Sequence, residues 1–242
     1  MKLIFSCLFL LISSWFTTSL AQTETTLKAY YFPYQNLFEP VVYKYVNTEN
    51  PNDIFYCFMK TKVVNKDTLI ESNVFDQAFY EVSTGIEVVK PQGTELKTYT
   101  IYITGILTPT RPIHKDIFRW QQSKQDKIKW SARYTSQFGE ESIRKMREYL
   151  GESDRYRFQK EVYPSITFKD TYRHSIKAGD HIETTDFDQE AVYCKGIGLV
   201  DYQREMENGV KFHYKLEKIM SNEAWESLKK QPYSPPGTIK RI

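Results

Sequence analysis

Short runs of aromatic and β-branched residues, separated by turn-forming clusters, recur along this chain and restrict its fold more than any other feature. Residues 95–104, ELKTYTIYIT, divide alternate side chains between two faces, which is typical of a strand in a sheet. Residues 41–46 and 54–64 are similar runs, and the sequence NTENPND between them predicts a turn. The pattern predicts a sheet built mainly from antiparallel hairpins.

Helical patterns are few. Residues 139–150 place Ile143, Met146 and Leu150 at helical spacing, acidic residues lie near the start, and Gly151 follows the end, so we predict a helix near 140–150. A second helix is predicted near 222–230, and residues 231–242 are expected to be irregular because they contain three prolines and a glycine. The predicted fold class is therefore α+β, with mainly antiparallel sheet and a few short helices.

The sheet is expected to consist of two related halves. Pro109 and Pro112 interrupt the strand pattern and predict a division into residues 22–108 and 109–230. The octapeptides IESNVFDQ at 70–77 and IETTDFDQ at 182–189 agree at five of eight positions, and their flanks match in order. We interpret them as a duplicated unit. The equivalent residues would be the core side chains Phe75 and Phe187 and the turn-fixing side chains Asp76 and Asp188.

Residues 1–21 have the three-part layout of a secretory signal. Lys2 is followed by an apolar run at 3–16, and small residues at Ser19 and Ala21 predict cleavage before Gln22. The alternative is a retained membrane anchor, but the run is shorter than the roughly 20 apolar residues that a spanning helix needs. The mature protein is expected to be exported to the periplasm or the extracellular space, with no membrane span after cleavage.

Two cysteines, Cys57 and Cys194, remain in the predicted mature chain. In an oxidising compartment they can form a disulfide. Each also lies in an apolar run, where a buried free thiol is equally natural. The sequence leaves both alternatives open and offers no neighbouring base for a catalytic thiol.

The densest polar cluster spans residues 174–188. His174, Asp180 and His181 are candidate acid–base residues, and the two histidines are candidate metal ligands, because imidazole titrates near neutrality and carboxylates can orient it. The histidines lie seven residues apart across a predicted turn, which a hairpin could bring together. A solvated, charged hairpin is the simpler interpretation, since metal motifs normally have tighter spacing.

The composition excludes several functional classes. The chain has 33 basic and 30 acidic residues without basic clusters, which argues against a nucleic-acid binder. It contains no nucleophile elbow, zinc-protease motif, phosphate-binding loop or dinucleotide fingerprint, and no cofactor is expected. Its 18 tyrosines and 15 phenylalanines could fill a core or surround an apolar cavity.

Two short motifs carry a family resemblance. Tyr31-Phe32-Pro33 lies near the start of the mature region, and GIGLV at 196–200 forms a late glycine-containing strand. With these motifs the chain resembles small exported β-rich proteins of Bacteroidota-type bacteria. The tryptophan-containing strand expected after the first motif is replaced by EPVVYKYV. The resemblance implies export and a β-rich fold, and it assigns no functional residue.

The sequence favours an exported, non-enzymatic binding or envelope-associated protein. Its partner would be an apolar small molecule or an envelope protein. One alternative is a metal-dependent or acid–base enzyme centred on residues 174–188, and another is a structural interaction module.

Overall fold

The structure, a computed structural model, describes residues 26–124 and 126–231. The predicted signal peptide and residues 232–242 of the predicted tail lie outside the described residues. Two short 3-10 helices, Leu27–Tyr30 and Tyr34–Asn36, come first, and one α-helix, α1 (Asn222–Lys229), comes last. The strands between them are β1 (Val41–Asn47), β2 (Ile54–Val64), β3 (Asp67–Asp76), β4 (Glu81–Lys90), β5 (Gly93–Ile103), β6 (Ile106–Pro109), β7 (Arg111–Arg119), β8 (Lys127–Ser136), β9 (Gly139–Phe158), β10 (Glu161–Ala178), β11 (His181–Cys194), β12 (Gly198–Met206) and β13 (Lys211–Ser221).

All thirteen strands belong to one antiparallel sheet that closes on itself. The sheet runs from β4 back through β1 to β13 and on to β7 and β5, and β5 then pairs with β4. The result is a closed barrel of twelve strands, in which β6 and β7 occupy one position. The predicted α+β class is therefore wrong, because the described residues form an essentially all-β barrel with a single short α-helix.

β6 and β7 pair with successive parts of the same edge of β5. Ile106–Pro109 pairs with residues 100–103, and residues 116–119 pair with residues 93–95. Between them the amide of Thr110 donates a hydrogen bond to the carbonyl of Tyr99 at 2.9 Å. Pro109 and Pro112 predicted a boundary between residues 108 and 109. They interrupt the hydrogen bonding with β5, but β6 pairs with β5 before the interruption and β7 pairs with it afterwards.

β9 occupies the segment for which a helix near 140–150 was predicted, and that prediction is wrong. Its 20 residues pair with β8 on one side and β10 on the other. Lys145 and Arg147 point into the barrel, whereas Met146 and Leu150 lie on the outer face, each 39% exposed. Because charged residues occupy interior positions, the apolar alternation expected of a strand is missing from this sequence.

The N-terminal segment, residues 27–37, plugs one end of the barrel. It forms backbone hydrogen bonds with Trp120 after β7, with Gly196 in the β11–β12 turn and with Thr61 on β2. Tyr31 is 4% exposed, and its ring centroid lies 5.0 Å from that of Phe118 inside the barrel. We call this end the plugged end and the opposite end, where the β3–β4, β8–β9, β10–β11 and β12–β13 turns lie, the mouth.

The helix predicted near 222–230 is confirmed as α1, which packs on the outside of the barrel. The Ser221 side chain caps it by accepting a hydrogen bond from the amide of Ala224 at 3.3 Å. Trp225 joins Val42 and Tyr56 in a small core that is separate from the barrel interior. Within the described ranges, no helix is long and apolar enough to cross a membrane.

The two octapeptides occupy different surroundings. Phe75 packs on Trp225 outside the barrel, whereas Phe187 stacks on Tyr172 inside it. Asp76 fixes the β3–β4 turn by accepting hydrogen bonds from two amides at 2.9 Å, but Asp188 lies within β11 and pairs with a lysine on the surface. The internal repeat is not confirmed.

Candidate functional site

The predicted histidine site is not assembled by its hairpin. His174 pairs with Thr185 in the register of β10 and β11, whereas His181 pairs with Ala178 at the tip. Four residue steps separate the two pairs, which corresponds to about 13 Å along a strand. Asp180 lies exposed in the turn itself. Among the residues that the structure describes, no group of three histidine, cysteine or acidic side chains is placed to hold a metal ion.

His174 instead belongs to a hydrogen-bonded network near the mouth. Its Nε2 lies 2.7 Å from Glu141 Oε2 and 3.0 Å from the Tyr134 hydroxyl. The Tyr134 hydroxyl also donates to Glu141 Oε2 at 2.7 Å, and the Ser136 hydroxyl donates to Glu141 Oε1. Burial alone would raise the pKa of Glu141, but these three partners outweigh it and lower the pKa below its ordinary value.

The lowered pKa of Glu141 predicts a contribution to stability that depends on pH. Because the folded-state pKa lies below the unfolded value of about 4.3, the contribution is present above that pH and is lost as the pH falls through the folded-state pKa. We expect Glu141→Gln to reduce stability at pH 7 and to weaken its dependence on pH in the acidic range. Urea unfolding midpoints from pH 7 to pH 3 measure this, and an unchanged slope against pH would contradict the assignment.

The structure contains Cys57 and Cys194 as free thiols. Cys194 is fully buried, whereas Cys57 keeps part of its surface accessible although it faces the interior from β2. Burial raises the pKa of both thiols to about 12, and Glu87 adds to the shift at Cys57. Both are therefore protonated and weakly nucleophilic at neutral pH.

A buried ion pair lies in the middle of the barrel. Arg147 Nε and Nη2 donate to the two carboxylate oxygens of Asp170 at 2.7 and 2.8 Å, and Nη2 also donates to the Tyr193 hydroxyl at 3.0 Å. Lys145 Nζ lies 2.9 Å from Asp170. Burial opposes the ionised form of Asp170, but the two cations outweigh it and hold its pKa below the usual range. Asp170 is therefore ionised, and both of its carboxylate oxygens contact a cationic side chain.

A group of interior aromatic side chains, which we call the aromatic chamber, lies near this ion pair. It comprises Tyr99, Trp130, Tyr172, Phe187 and Tyr202. Burial raises the pKa of Tyr99, and Tyr172 contributes in the same direction, so the two side chains face one interior. All five side chains nevertheless keep accessible surface. The five are therefore less completely covered than Phe118 and Phe168 deeper in the barrel, each of which is 1% exposed.

Exposed apolar side chains surround the mouth. Nearly every hairpin at this end has one at its tip, and their exposed fractions run from 45% for Val210 to 74% for Tyr80. The others are Ile106, Leu107, Phe138 and Ile182. An apolar molecule that enters the chamber would pass these side chains.

The sequence identified His174 but missed its partners and the chamber. Glu141 lies in the segment that was predicted as helical, so no strand register connected it to His174. Lys145 and Arg147 were overlooked for the same reason. No alternation marks this strand in the sequence, because its interior positions 141, 143, 145, 147 and 149 carry Glu, Ile, Lys, Arg and Tyr.

Comparison with known proteins gives no family. No family model matches the chain, and no curated protein matches it. Two solved structures are similar, each with a TM-score of 0.49 and 11% sequence identity. One is a proposed lipoprotein from Parabacteroides distasonis, for which the match covers 78% of this chain and 97% of that one. The other is a proposed exported protein with a YmcC-like fold from Bacteroides fragilis, with 79% and 99% covered.

Both neighbours come from the bacterial group that the two sequence motifs indicated. The expected resemblance to exported proteins of these bacteria is confirmed. The export predicted from residues 1–21 is consistent with these neighbours, of which one is described as an exported protein and the other as a lipoprotein.

Proposed function

We propose that this protein is an exported, non-enzymatic binding protein that holds a small apolar ligand in the aromatic chamber. The observation that carries the proposal is the partial accessibility of Tyr99, Trp130, Tyr172, Phe187 and Tyr202, all of which face the barrel interior. Large aromatic side chains inside a barrel are normally covered by one another. Here each of the five is only partly buried, which leaves room beside the rings for a small apolar molecule.

The two ends of the barrel differ in a way that fits a binding cup. At the plugged end, Tyr31 and Trp120 are 4% and 6% exposed and pack edge to face, 5.7 Å apart. The chamber has no comparable segment across it among the described residues. A pocket closed at one end, lined by aromatic residues and open through an apolar rim is the usual form of a site for a small apolar ligand.

Trp130 provides a reporter for this proposal. Its ring packs edge to face on Tyr99 at 5.4 Å and keeps accessible surface, whereas Trp120 and Trp225 are buried elsewhere. We expect a neutral apolar probe such as 1-decanol to change the tryptophan fluorescence saturably, because it would displace water next to this indole. Trp130→Phe should remove that change while leaving the probe bound, as native mass spectrometry would show.

A variant that fills the chamber tests the location. Ser72 faces the interior beside Gly85 and Tyr99, so Ser72→Leu adds apolar volume to the chamber. We expect it to weaken 1-decanol binding about ten-fold or more, which corresponds to at least 1.4 kcal/mol. The control is Thr171→Leu, because Thr171 is exposed on the outer face of β10. Equal affinities for 1-decanol in the two variants would contradict binding in the chamber.

An acid–base enzyme is the second candidate, and one observation favours it. His174 contacts Glu141 within 2.7 Å on the interior side of the mouth, and an imidazole oriented by a carboxylate can act as a general base. If this function is correct, His174→Ala abolishes turnover of a substrate identified from the native host. The network also has a structural role, because it supplies hydrogen-bond partners to the buried carboxylate of Glu141.

A further inference from the structure

The barrel interior contains two arginines with very different partners. The guanidinium of Arg147 forms a two-pronged ion pair with Asp170 and a further hydrogen bond with Tyr193. Arg204 on β12 also points inward, but no carboxylate among the described residues forms an ion pair with it. Within the part of the chain that the structure describes, its side chain forms one hydrogen bond, from Nη2 to Gln189 Oε1 at 3.1 Å, and its buried Nε has no partner.

Aromatic rings of the chamber surround Arg204. Its guanidinium carbon lies 4.6 Å from the ring centroid of Phe187, 5.8 Å from that of Tyr172 and 5.9 Å from that of Tyr202. These rings hold the cation in place and remove much of its water, which strengthens its attraction for an anion. A guanidinium with donors left over in such surroundings is well suited to a planar, two-oxygen anion.

Gln189 adds a second donor at the same place. Arginine can only donate hydrogen bonds, so the amide of Gln189 must turn its oxygen towards Arg204 and its nitrogen away. That nitrogen has no hydrogen-bond partner among the described residues and belongs to a side chain that faces the interior. The Asp53 carboxylate at the mouth already accepts hydrogen bonds from Asn47 and Tyr214, and it forms no ion pair with Arg204.

We propose that the chamber binds an amphipathic carboxylate, whose head group pairs with Arg204 and Gln189 and whose apolar body contacts the aromatic rings. This proposal rests on the proposed binding function and specifies the class of ligand. The unused donors of Arg204 define the polar end of the ligand, and the rings of Tyr99 and Trp130 define its apolar end.

Two probes that differ only in their head groups test the proposal. Decanoate and 1-decanol are titrated into the full mature chain with tryptophan fluorescence as the readout. Arg204→Met keeps most of the side-chain volume and removes the charge. We expect it to weaken decanoate binding about ten-fold or more, as loss of a charged hydrogen bond does, and to change 1-decanol binding by less than about two-fold.

The matched control is Arg144→Met, because Arg144 lies exposed on the outer face of β9. It should leave both affinities unchanged. Arg204→Gln is a second neutral variant in case the methionine variant does not fold, which circular dichroism would reveal. Unchanged decanoate affinity in whichever variant folds overturns the proposal, and so does an equal loss for both probes.

A different pattern of binding results would show that the proposed binding function itself is wrong. If the wild-type protein binds neither decanoate nor 1-decanol, the chamber is not an apolar binding site, and both proposals are overturned. If the wild type binds both probes and Arg204→Met alters neither, the chamber binds apolar ligands and only the carboxylate proposal fails.

Discussion

Replacing Asp170 with asparagine is expected to lower the free energy of unfolding by about 3–5 kcal/mol, because it leaves two buried cations without their counter-charge. The Asp170 side chain is completely buried and accepts hydrogen bonds from Arg147 and Lys145. Asparagine keeps the shape but supplies one neutral oxygen in place of two charged ones. Urea unfolding at pH 7 measures the loss.

A surface pair provides the control for this experiment. Lys169 and Asp188 lie 2.9 Å apart on the outer face of neighbouring strands, and both are about half exposed, at 48% and 51%. Asp188→Asn is expected to cost about 0.2–1 kcal/mol because water screens the exposed pair. If Asp170→Asn costs no more than Asp188→Asn, the interior is hydrated well enough to replace the counter-charge.

The same ion pair explains why the sequence misled the fold prediction. A strand with one face in an apolar core should alternate apolar and polar residues. In β9 the interior positions include Lys145 and Arg147, which are compensated by Asp170 on the next strand. That compensation depends on a partner 23 residues away from Arg147, so no local pattern could reveal it.

Hairpins were predicted well because their signals are local. Residues 41–46 and 54–64 were predicted as strands with a turn between them, and β1 and β2 occupy these residues. Closure of the barrel could not be predicted in this way. It requires β5 to pair with both β4 and β7, and register between strands that are distant in sequence depends on the whole ring.

The two motifs of the family resemblance meet in space. Gly198 has a φ of +102°, and a Cβ built on it would lie 2.6 Å from the ring of Phe32. The glycine thus allows the N-terminal plug to pack closely against the start of β12, and the Gly196 amide donates to the carbonyl of Ala29 at 2.8 Å. The motifs therefore concern how the plugged end is closed, and the chamber lies away from them.

The candidate site was only partly visible in the sequence. His174 stood out because histidine is a frequent catalytic residue, yet the features that define the chamber are ordinary tyrosines and one arginine. Arg204 follows Tyr202 at strand spacing and resembles any surface arginine in the sequence. Only the closed sheet places it among Tyr172, Phe187 and Tyr202.

Replacing Trp225 with alanine is expected to cost about 3–5 kcal/mol of folding free energy, the usual range for removing a large buried aromatic side chain. Trp225 is 1% exposed, and its ring centroid lies 5.0 Å from that of Tyr56, 5.3 Å from that of Phe75 and 5.4 Å from that of Phe79. It is the buried residue through which α1 attaches to the barrel.

The structural effect of Trp225→Ala should be confined to the outer face of the barrel. Ser227→Ala, at an exposed position of the same helix, is expected to change stability by less than about 0.5 kcal/mol. Because Trp225 and the aromatic chamber lie on opposite sides of the sheet, folded Trp225→Ala protein should bind 1-decanol with wild-type affinity. Reduced affinity at a temperature where the variant is fully folded would mean that α1 shapes the chamber through β1 and β2, and the separation of the two cores would then be wrong.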